Sequence, residues 1–183
     1  MKQYLDLVKE VLNRGTRKEN RTGVDTISAF NINYSIDLKE GFPLLTTKEI
    51  SWKNIVIENL WFLSGDLHIG LLKKHGCKFW NHWADNDGFV PSAYGNFWRK
   101  FPVHGKQQYN DQVRYVLDTL KKNPNSRRMV ITAWAPGNAQ TSALPPCHLM
   151  FIFNVQYDKN NEPRLCVHLT QRSCDVALGV PYN

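Results

Sequence analysis

Apolar residues along this chain recur with two different periods, and the changes of period mark out the elements. Tyr4, Leu7, Val8, Val11 and Leu12 fall at helical spacing, which predicts a helix over residues 3–13 with Gly15 just past its end as a stop. From residue 27 the period drops to two. Phe30, Ile32, Tyr34, Ile36 and Leu38 then share one face of an expected strand over 27–38. Gly41, Pro43 and the polar Thr46-Thr47-Lys48 read as a loop. Residues 50–64 are apolar nearly all round (Ile50, Ile55, Val56, Ile57, Leu60, Trp61, Phe62, Leu63), the signature of a central buried helix.

A shorter helix is expected over 67–75, followed by an irregular stretch rich in aromatics: Phe79, Trp80, Trp83, Phe89, Tyr94, Phe97, Trp98 and Phe101. Residues 110–122 form an amphipathic pattern with Val113, Val116, Leu117 and Leu120 inward, ended by Asn123-Pro124-Asn125. Three strand-like segments follow at 129–134, 149–157 and 164–171, and the last two flank a polar turn at 158–163 as a hairpin would. Order and type predict an α/β protein of the α+β kind: a mixed, largely antiparallel sheet with a central buried helix and flanking helices. With no internal repeat, low-complexity tract or Pro/Gly/Ser linker, residues 1–183 are read as a single domain.

Composition narrows the class. The chain has 183 residues, 42% hydrophobic and 21% charged, which excludes a disordered chain and allows a core without metal or disulfide staples. No run of about 18 apolar residues and no charged-then-apolar leader occurs, so neither a membrane partner nor secretion is expected and the protein reads as cytoplasmic. Its four cysteines, Cys77, Cys147, Cys166 and Cys174, are then free thiols in a reducing compartment. The net charge of +7 suggests an anionic partner. No basic run exceeds two residues, so scattered arginines converging on a small phosphate explain the charge as well as nucleic acid does, and so does a basic surface kept for solubility.

Three features could carry chemistry. Glu58 lies mid-helix among apolar neighbours, where an ionised carboxylate is costly unless paired. It is either satisfied by an arginine or a backbone group, or kept as a carboxyl with a raised pKa for proton transfer. Cys147, in Leu144-Pro145-Pro146-Cys147-His148, follows two prolines that fix the backbone ahead of the sulfur, as suits a nucleophile, although a small buried hydrophobe is the commoner use of such a cysteine. A thiolate needs positive charge nearby, and His148, adjacent on a strand, points to the opposite face and is a poor partner. Arg21, Arg127, Arg128 and Arg172 each stand beside a small hydrogen-bonding residue, as phosphate-binding arginines do and as solvated turns also do. The aromatics around Trp80 and Trp83 could stack on a flat ligand or simply fill the core.

Taken together these segments resemble one family, the folate-dependent, cysteine-nucleophile thymidylate synthases. The likeness runs through the chain in order: Arg21-Thr22-Gly23, Phe42-Pro43-Leu44-Leu45-Thr46-Thr47-Lys48, Glu58-Asn59-Leu60-Trp61-Phe62-Leu63-Ser64-Gly65, Trp80, Tyr94-Gly95, Asp111-Gln112, Ser126-Arg127-Arg128, Leu144-Pro145-Pro146-Cys147-His148, Gln171-Arg172-Ser173-Cys174-Asp175 and Leu178-Gly179-Val180-Pro181-Tyr182-Asn183. The resemblance implies a methyltransferase of dTMP biosynthesis. It would convert dUMP to dTMP with methylenetetrahydrofolate as the cosubstrate giving both carbon and hydride, and would use no metal. Cys147 would add to C6 of the uracil, with Arg172 favouring its thiolate, Glu58 organising proton transfers, Tyr94 near the C5 proton, and Asp175 also among the catalytic groups. The resemblance assigns dUMP to Arg21, Arg127, Arg128, Gln171, Arg172, Ser173, Asp175 and Asn183. It assigns the folate to Lys48, Trp80, Trp83, Asp175, Leu178 and Gly179. Arg127 and Arg128 would reach the partner's site, which implies a homodimer, and nucleic acid is not required.

Asn183 carries the expected choice of base, because its amide can donate to uracil O4 and accept from N3–H. Related deoxycytidylate hydroxymethylases place an aspartate there. Departures from the family pattern fall near the folate: Ser51 where many relatives carry a basic group, Asn81 beside Trp80, and Ser92-Ala93 before Tyr94. Family members also continue beyond the position of Asn183, so the chain is expected to be an N-terminal part of such an enzyme, one that could hold the catalytic groups without turning over. A pyrimidine nucleotide hydroxymethylase and a noncatalytic nucleotide- or RNA-binding fragment are the alternatives.

Overall fold

The computed structural model describes residues 2–182, so Asn183, the expected reader of the base, lies outside the described residues. The chain forms two compact units, Met1–Ile50 with Asp175–Asn183 and, separately, Ser51–Cys174.

In the first unit, α1 (Lys2–Arg14) is the amphipathic helix expected from the first periodic run, with Leu7 buried on its inner face. It is followed by β1 (Thr16–Lys18) and β2 (Thr26–Ser28), paired antiparallel with Thr16 opposite Ser28. The strand expected over 27–38 is therefore a correction: it stops at Ser28, and Phe30 is 91% exposed. Two causes are visible. The partner strand is only three residues long, and Asn31 adopts a left-handed φ of 59°, which no strand continues through. Leu38–Glu40 then makes a 3-10 turn started by the Asp37 side chain, which accepts from the Lys39 N–H at 2.9 Å. The unit is completed by α6 (Gly179–Tyr182), in which Pro181 is buried.

The second unit holds the larger core. Its first helix, α2 (Trp52–Ser64), ends at Gly65, whose left-handed φ of 72° closes the helix with an N–H to the Phe62 carbonyl. Trp61 and Phe62 are buried, but Val56, Leu60 and Leu63 are exposed, so the helix is central without being covered on all sides as the sequence pattern predicted. The next helix is only α3 (Gly70–Lys74), shorter than the expected 67–75. Residues ahead of it are held otherwise: the Asp66 carboxylate accepts from the His68 N–H, and His68 pairs with Phe89 in an isolated bridge. Next, α4 (Tyr94–Lys100) crosses α2 at backbone contact. A methyl on Gly95 would stand 2.6 Å from the Phe62 carbonyl oxygen, so only glycine permits this crossing. A two-residue ladder of β3 (Phe101–Pro102) with β4 (Tyr109–Asn110) leads to α5 (Gln112–Lys122). Asp111 caps α5 by accepting from the Arg114 N–H at 2.9 Å.

The largest sheet has the order β5 (Val130–Thr132), β6 (His148–Tyr157), β7 (Pro163–Gln171), antiparallel throughout, with the expected β6–β7 hairpin. Asp158 organises the turn, its carboxylate accepting from Asn160 N, Glu162 N and the Arg164 guanidinium. The ladder runs from Tyr157 opposite Pro163 back to His148 opposite Gln171, with a register shift between His148 and Met150. The mixed helices and antiparallel sheets agree with the fold class read from the sequence. One face of the sheet, through Phe151 and Phe153, packs on a cluster of Trp61, Phe62, Trp80, Tyr94, Trp98 and Met129. Burial of each such side chain contributes about 1.5–3 kcal/mol.

Candidate active site

The second unit links five of the expected site residues, Glu58, Trp80, Tyr94, Cys147 and Arg172, through successive contacts. Glu58 points from α2 toward Trp80, whose indole Nε1 donates to its Oε1 at 2.5 Å. The partner is neither the arginine nor the backbone group that the bland reading required. An indole N–H is neutral, so it satisfies an oxygen without cancelling the charge. Burial outweighs that bond and holds the Glu58 carboxyl above its ordinary value. Trp80 itself is only 7% exposed, packed 5.4 Å from Trp61 and 5.7 Å from Phe62. Its ring is core, and its one polar atom is given to Glu58.

Tyr94 is buried at the start of α4, with its ring edge-on to Phe62 at 5.0 Å and 6.5 Å from Trp80. Its hydroxyl oxygen accepts from the backbone N–H of Cys147 at 3.0 Å and of His148 at 3.3 Å, leaving its own O–H as a donor. Burial pushes its pKa up against those two bonds, and the charges of Cys147 and Glu58 push it the same way. Cys77 is also buried, and burial raises its thiol further from reactivity.

Cys147 is half-buried, immediately ahead of β6. The end of β7 reaches it from the neighbouring strand, where the Arg172 N–H donates to the Cys147 carbonyl at 3.0 Å. The Arg172 side chain turns back along the same loop. Its Nε donates to the Pro146 carbonyl at 2.9 Å and its Nη2 to the Pro145 carbonyl at 2.8 Å. The guanidinium is therefore anchored on the two residues preceding the thiol, and its acceptors are uncharged. Gln171 is paired with His148 at the end of the ladder, and Ser173 is exposed just beyond. Arg127 and Arg128 are both exposed, ahead of β5, and the Arg128 N–H donates to Ser126 Oγ at 3.3 Å. Trp83 is half-buried against this unit's core.

The remaining expected residues belong to the first unit. Arg21 is exposed in a turn that Asn20 ties together, its side-chain amide donating to Val24 and its carbonyl accepting from Thr22. Lys48 donates to the Ala177 carbonyl at 3.1 Å and lies 5.7 Å from the centre of the Tyr182 ring. The Asp175 carboxylate accepts from the N–H groups of Ala177 and Leu178 at 2.8 and 2.9 Å. Gly179 follows at the start of α6, and Leu178 is 58% exposed.

Two further residues join these contacts: His148, which the sequence pattern set aside, and Trp134, which it did not single out. His148 stacks on the Tyr94 ring, centroids 5.0 Å apart at 23°, so it enters the site through the tyrosine. The register shift just after it breaks the simple alternation on which it was set aside. Trp134 lies with its ring centre 5.8 Å from the Arg172 guanidinium carbon, and no spacing along the chain pairs residues 134 and 172. Among the described residues no three His, Cys, Asp or Glu side chains converge as metal ligands would, and no helix is long and apolar enough to cross a membrane.

Comparison with known proteins adds a second line. Residues 2–183 match the family model described as thymidylate synthase. A curated relative named thymidylate synthase, from Haloferax volcanii, is 50% identical over 198 residues, an alignment that takes in 97% of this chain and 56% of the relative. The chain thus spans about half the length of the curated relative it matches.

Proposed function

Because the chain belongs to the thymidylate synthase family, we propose that the protein converts dUMP to dTMP, with methylenetetrahydrofolate as cosubstrate, through a covalent bond between Cys147 and C6 of the uracil. The observation that carries the reading is the neighbourhood of one thiol. The Arg172 guanidinium is tied to the two carbonyls before Cys147, and the Tyr94 hydroxyl accepts from the Cys147 N–H.

Each of these groups has a physical task. A fixed cation favours the sulfur as thiolate, the form that adds to carbon. As Sγ bonds to C6, the electron pair of the C5–C6 double bond moves to C5 and is shared with the C4 carbonyl, so C5 becomes the nucleophile. Transfer of the carbon to C5 must be followed by loss of the C5 proton. A water takes that proton as base, and Tyr94, whose oxygen accepts from two backbone N–H groups and whose O–H remains a donor, is the group we assign to holding that water beside C5. Glu58, whose carboxyl keeps its proton above the ordinary range, is assigned to proton exchange at the pyrimidine through water. The pair freed by the C5 proton would break the bond between the new C5 methylene and the folate nitrogen. Hydride from the folate would then add to the methylene and return a pair to C5, and that pair would expel the sulfur and restore the double bond.

The reduced folate supplies the carbon at the formaldehyde level and the hydride that brings it to a methyl. The residues assigned to it fit a flat ligand with an anionic tail in kind: Trp83 and Leu178 offer accessible apolar surface, Gly179 leaves room for close approach, and Lys48 carries a cation. Trp80, with its ring in the core, is assigned to the folate only through Glu58. Arg21, Arg172 and Ser173 are assigned to the nucleotide phosphate, Gln171, Asp175 and Asn183 to the rest of the nucleotide, and Arg127 and Arg128 to the phosphate of a partner subunit. Their exposure supports reach beyond their own subunit.

The test is the mass of the product. Incubation of the protein with dUMP and methylenetetrahydrofolate is expected to add a methyl group and release dihydrofolate. A hydroxymethyl product would assign it to the pyrimidine hydroxymethylases, and binding without turnover to a noncatalytic role.

A further inference from the structure

Arg172 is the cation on which the reactivity of Cys147 depends in the reading above, and its two hydrogen bonds do not fully fix it. Nε and Nη2 share one edge of the guanidinium, and both meet carbonyls of a single loop, at 2.9 and 2.8 Å. A planar group held by one edge can still pivot about that edge. What stands against the pivot is Trp134, with its ring centre 5.8 Å from the guanidinium carbon, inside the roughly 6 Å range of a cation–ring contact.

The ring is itself placed by a stiff frame. Trp134 follows β5, and its N–H donates to Thr132 Oγ1 at 3.2 Å. That hydroxyl and the Ala133 N–H both donate to the Leu149 carbonyl, two residues from Cys147, at 3.2 and 2.9 Å. From the other side the buried Gln112 amide acts like a short piece of strand. It accepts from Thr132 N at 3.0 Å and donates to Thr132 O at 2.7 Å and Phe97 O at 2.9 Å. The three groups that hold the guanidinium, two carbonyls and one ring, are uncharged, so they fix the cation without neutralising it. A carboxylate in the same place would fix it and cancel it.

We propose that Trp134 is a positioning residue for the reaction: its ring backs the Arg172 guanidinium and holds that charge in place on the loop that leads into Cys147. The proposal rests on the assignment of Cys147 as nucleophile. It assigns no contact between Trp134 and substrate, and its effect passes entirely through Arg172.

The test is the second-order rate of iodoacetamide alkylation at Cys147, read by peptide mass spectrometry at neutral pH on the native protein and its variants. A partly exposed cation–ring contact corresponds to about a two- to fivefold change in rate. Trp134→Leu is expected to slow alkylation by that factor, and Trp134→Phe, which keeps a ring face, to restore most of it. In an Arg172→Gln background, Trp134→Leu is expected to have no further effect. Trp134→Met, which keeps bulk without a ring, carries the same comparison if the leucine variant fails to fold. An equal slowing with and without Arg172 overturns the proposal, because the tryptophan would then act by packing alone. So does a phenylalanine variant as slow as the leucine one. Wild-type protein that forms no adduct with 5-fluoro-dUMP overturns the assigned reaction itself. Wild-type protein that forms it, while Trp134→Leu alkylates at the wild-type rate, overturns only the role of Trp134.

Discussion

Replacing Trp80 with Phe in two backgrounds isolates the Glu58 carboxylate, because the substitution removes the indole N–H that donates to Glu58 Oε1. In the wild-type background, at a pH above the raised Glu58 value, the lost bond is one to an ionised carboxylate, about 1.5–3 kcal/mol. In a Glu58→Gln background the same N–H faces a neutral amide oxygen, and the bond is about 0.5–1.5 kcal/mol. The indole packing lost against Trp61 and Phe62 is common to both and cancels in the double-mutant cycle. The expected coupling is therefore about 1 kcal/mol, or ~2–4 °C in Tm for a protein of this size. The pH dependence follows from the direction of the Glu58 shift. Burial raises the folded value above the unfolded one, so between the two the folded protein holds a proton that the unfolded chain has lost. That contribution to stability is complete below the ordinary carboxylate range and disappears as pH rises through the raised value. Wild-type protein should thus lose stability relative to Glu58→Gln as pH rises through that window, and the Trp80 coupling should shrink as pH falls through it. Thermal unfolding of the four proteins at pH 4, 6 and 8 measures both. Equal costs of Trp80→Phe in the two backgrounds, unchanged with pH, would refute the buried carboxylate.

Tyr94→Phe removes the acceptor for two backbone N–H groups at Cys147 and His148; turnover should fall by about 10²-fold while dUMP still binds, and turnover within about threefold of wild type would remove Tyr94 from proton transfer. Gly95→Ala drives a methyl against the Phe62 carbonyl, which as backbone cannot yield; denaturant unfolding should show a loss of about 1–3 kcal/mol, and unchanged stability would contradict the close crossing of α2 and α4. Asp158, held at about 2 by the Arg164 guanidinium and then by backbone N–H groups, supports the β6–β7 turn above its ordinary value of 3.8 and ceases to do so as pH falls toward 2. NMR titration of its carboxyl should give that low midpoint, and a midpoint near 3.8 would dissolve the pairing.

Where local pattern and tertiary environment agreed, the sequence was legible. The first helix, the β6–β7 hairpin and the end of α5 at Asn123 came out as the period and the punctuation demanded. Period two over 27–38 failed because alternation describes only which face a strand would bury, not whether a partner strand is long enough to hold it. At the site, Glu58 was recognisable as an anomaly, but its partner was not. Twenty-two positions separate it from Trp80, and only packing of the aromatic cluster brings that N–H to the carboxylate. Trp134 and Gln112 carried no signal for the same reason. One looks like another core aromatic and the other like an ordinary helix-start residue, until the sheet places each beside what it supports.

Everything assigned to this site turns on which sulfur bonds to the pyrimidine. The direct measurement is peptide mass spectrometry of the protein after incubation with 5-fluoro-dUMP and methylenetetrahydrofolate, where a fluorine at C5 cannot leave as the proton does and the covalent species persists. One adduct is expected, on the peptide that contains Cys147, and it is lost in Cys147→Ala. An adduct on Cys77, Cys166 or Cys174, or none at all, would contradict it.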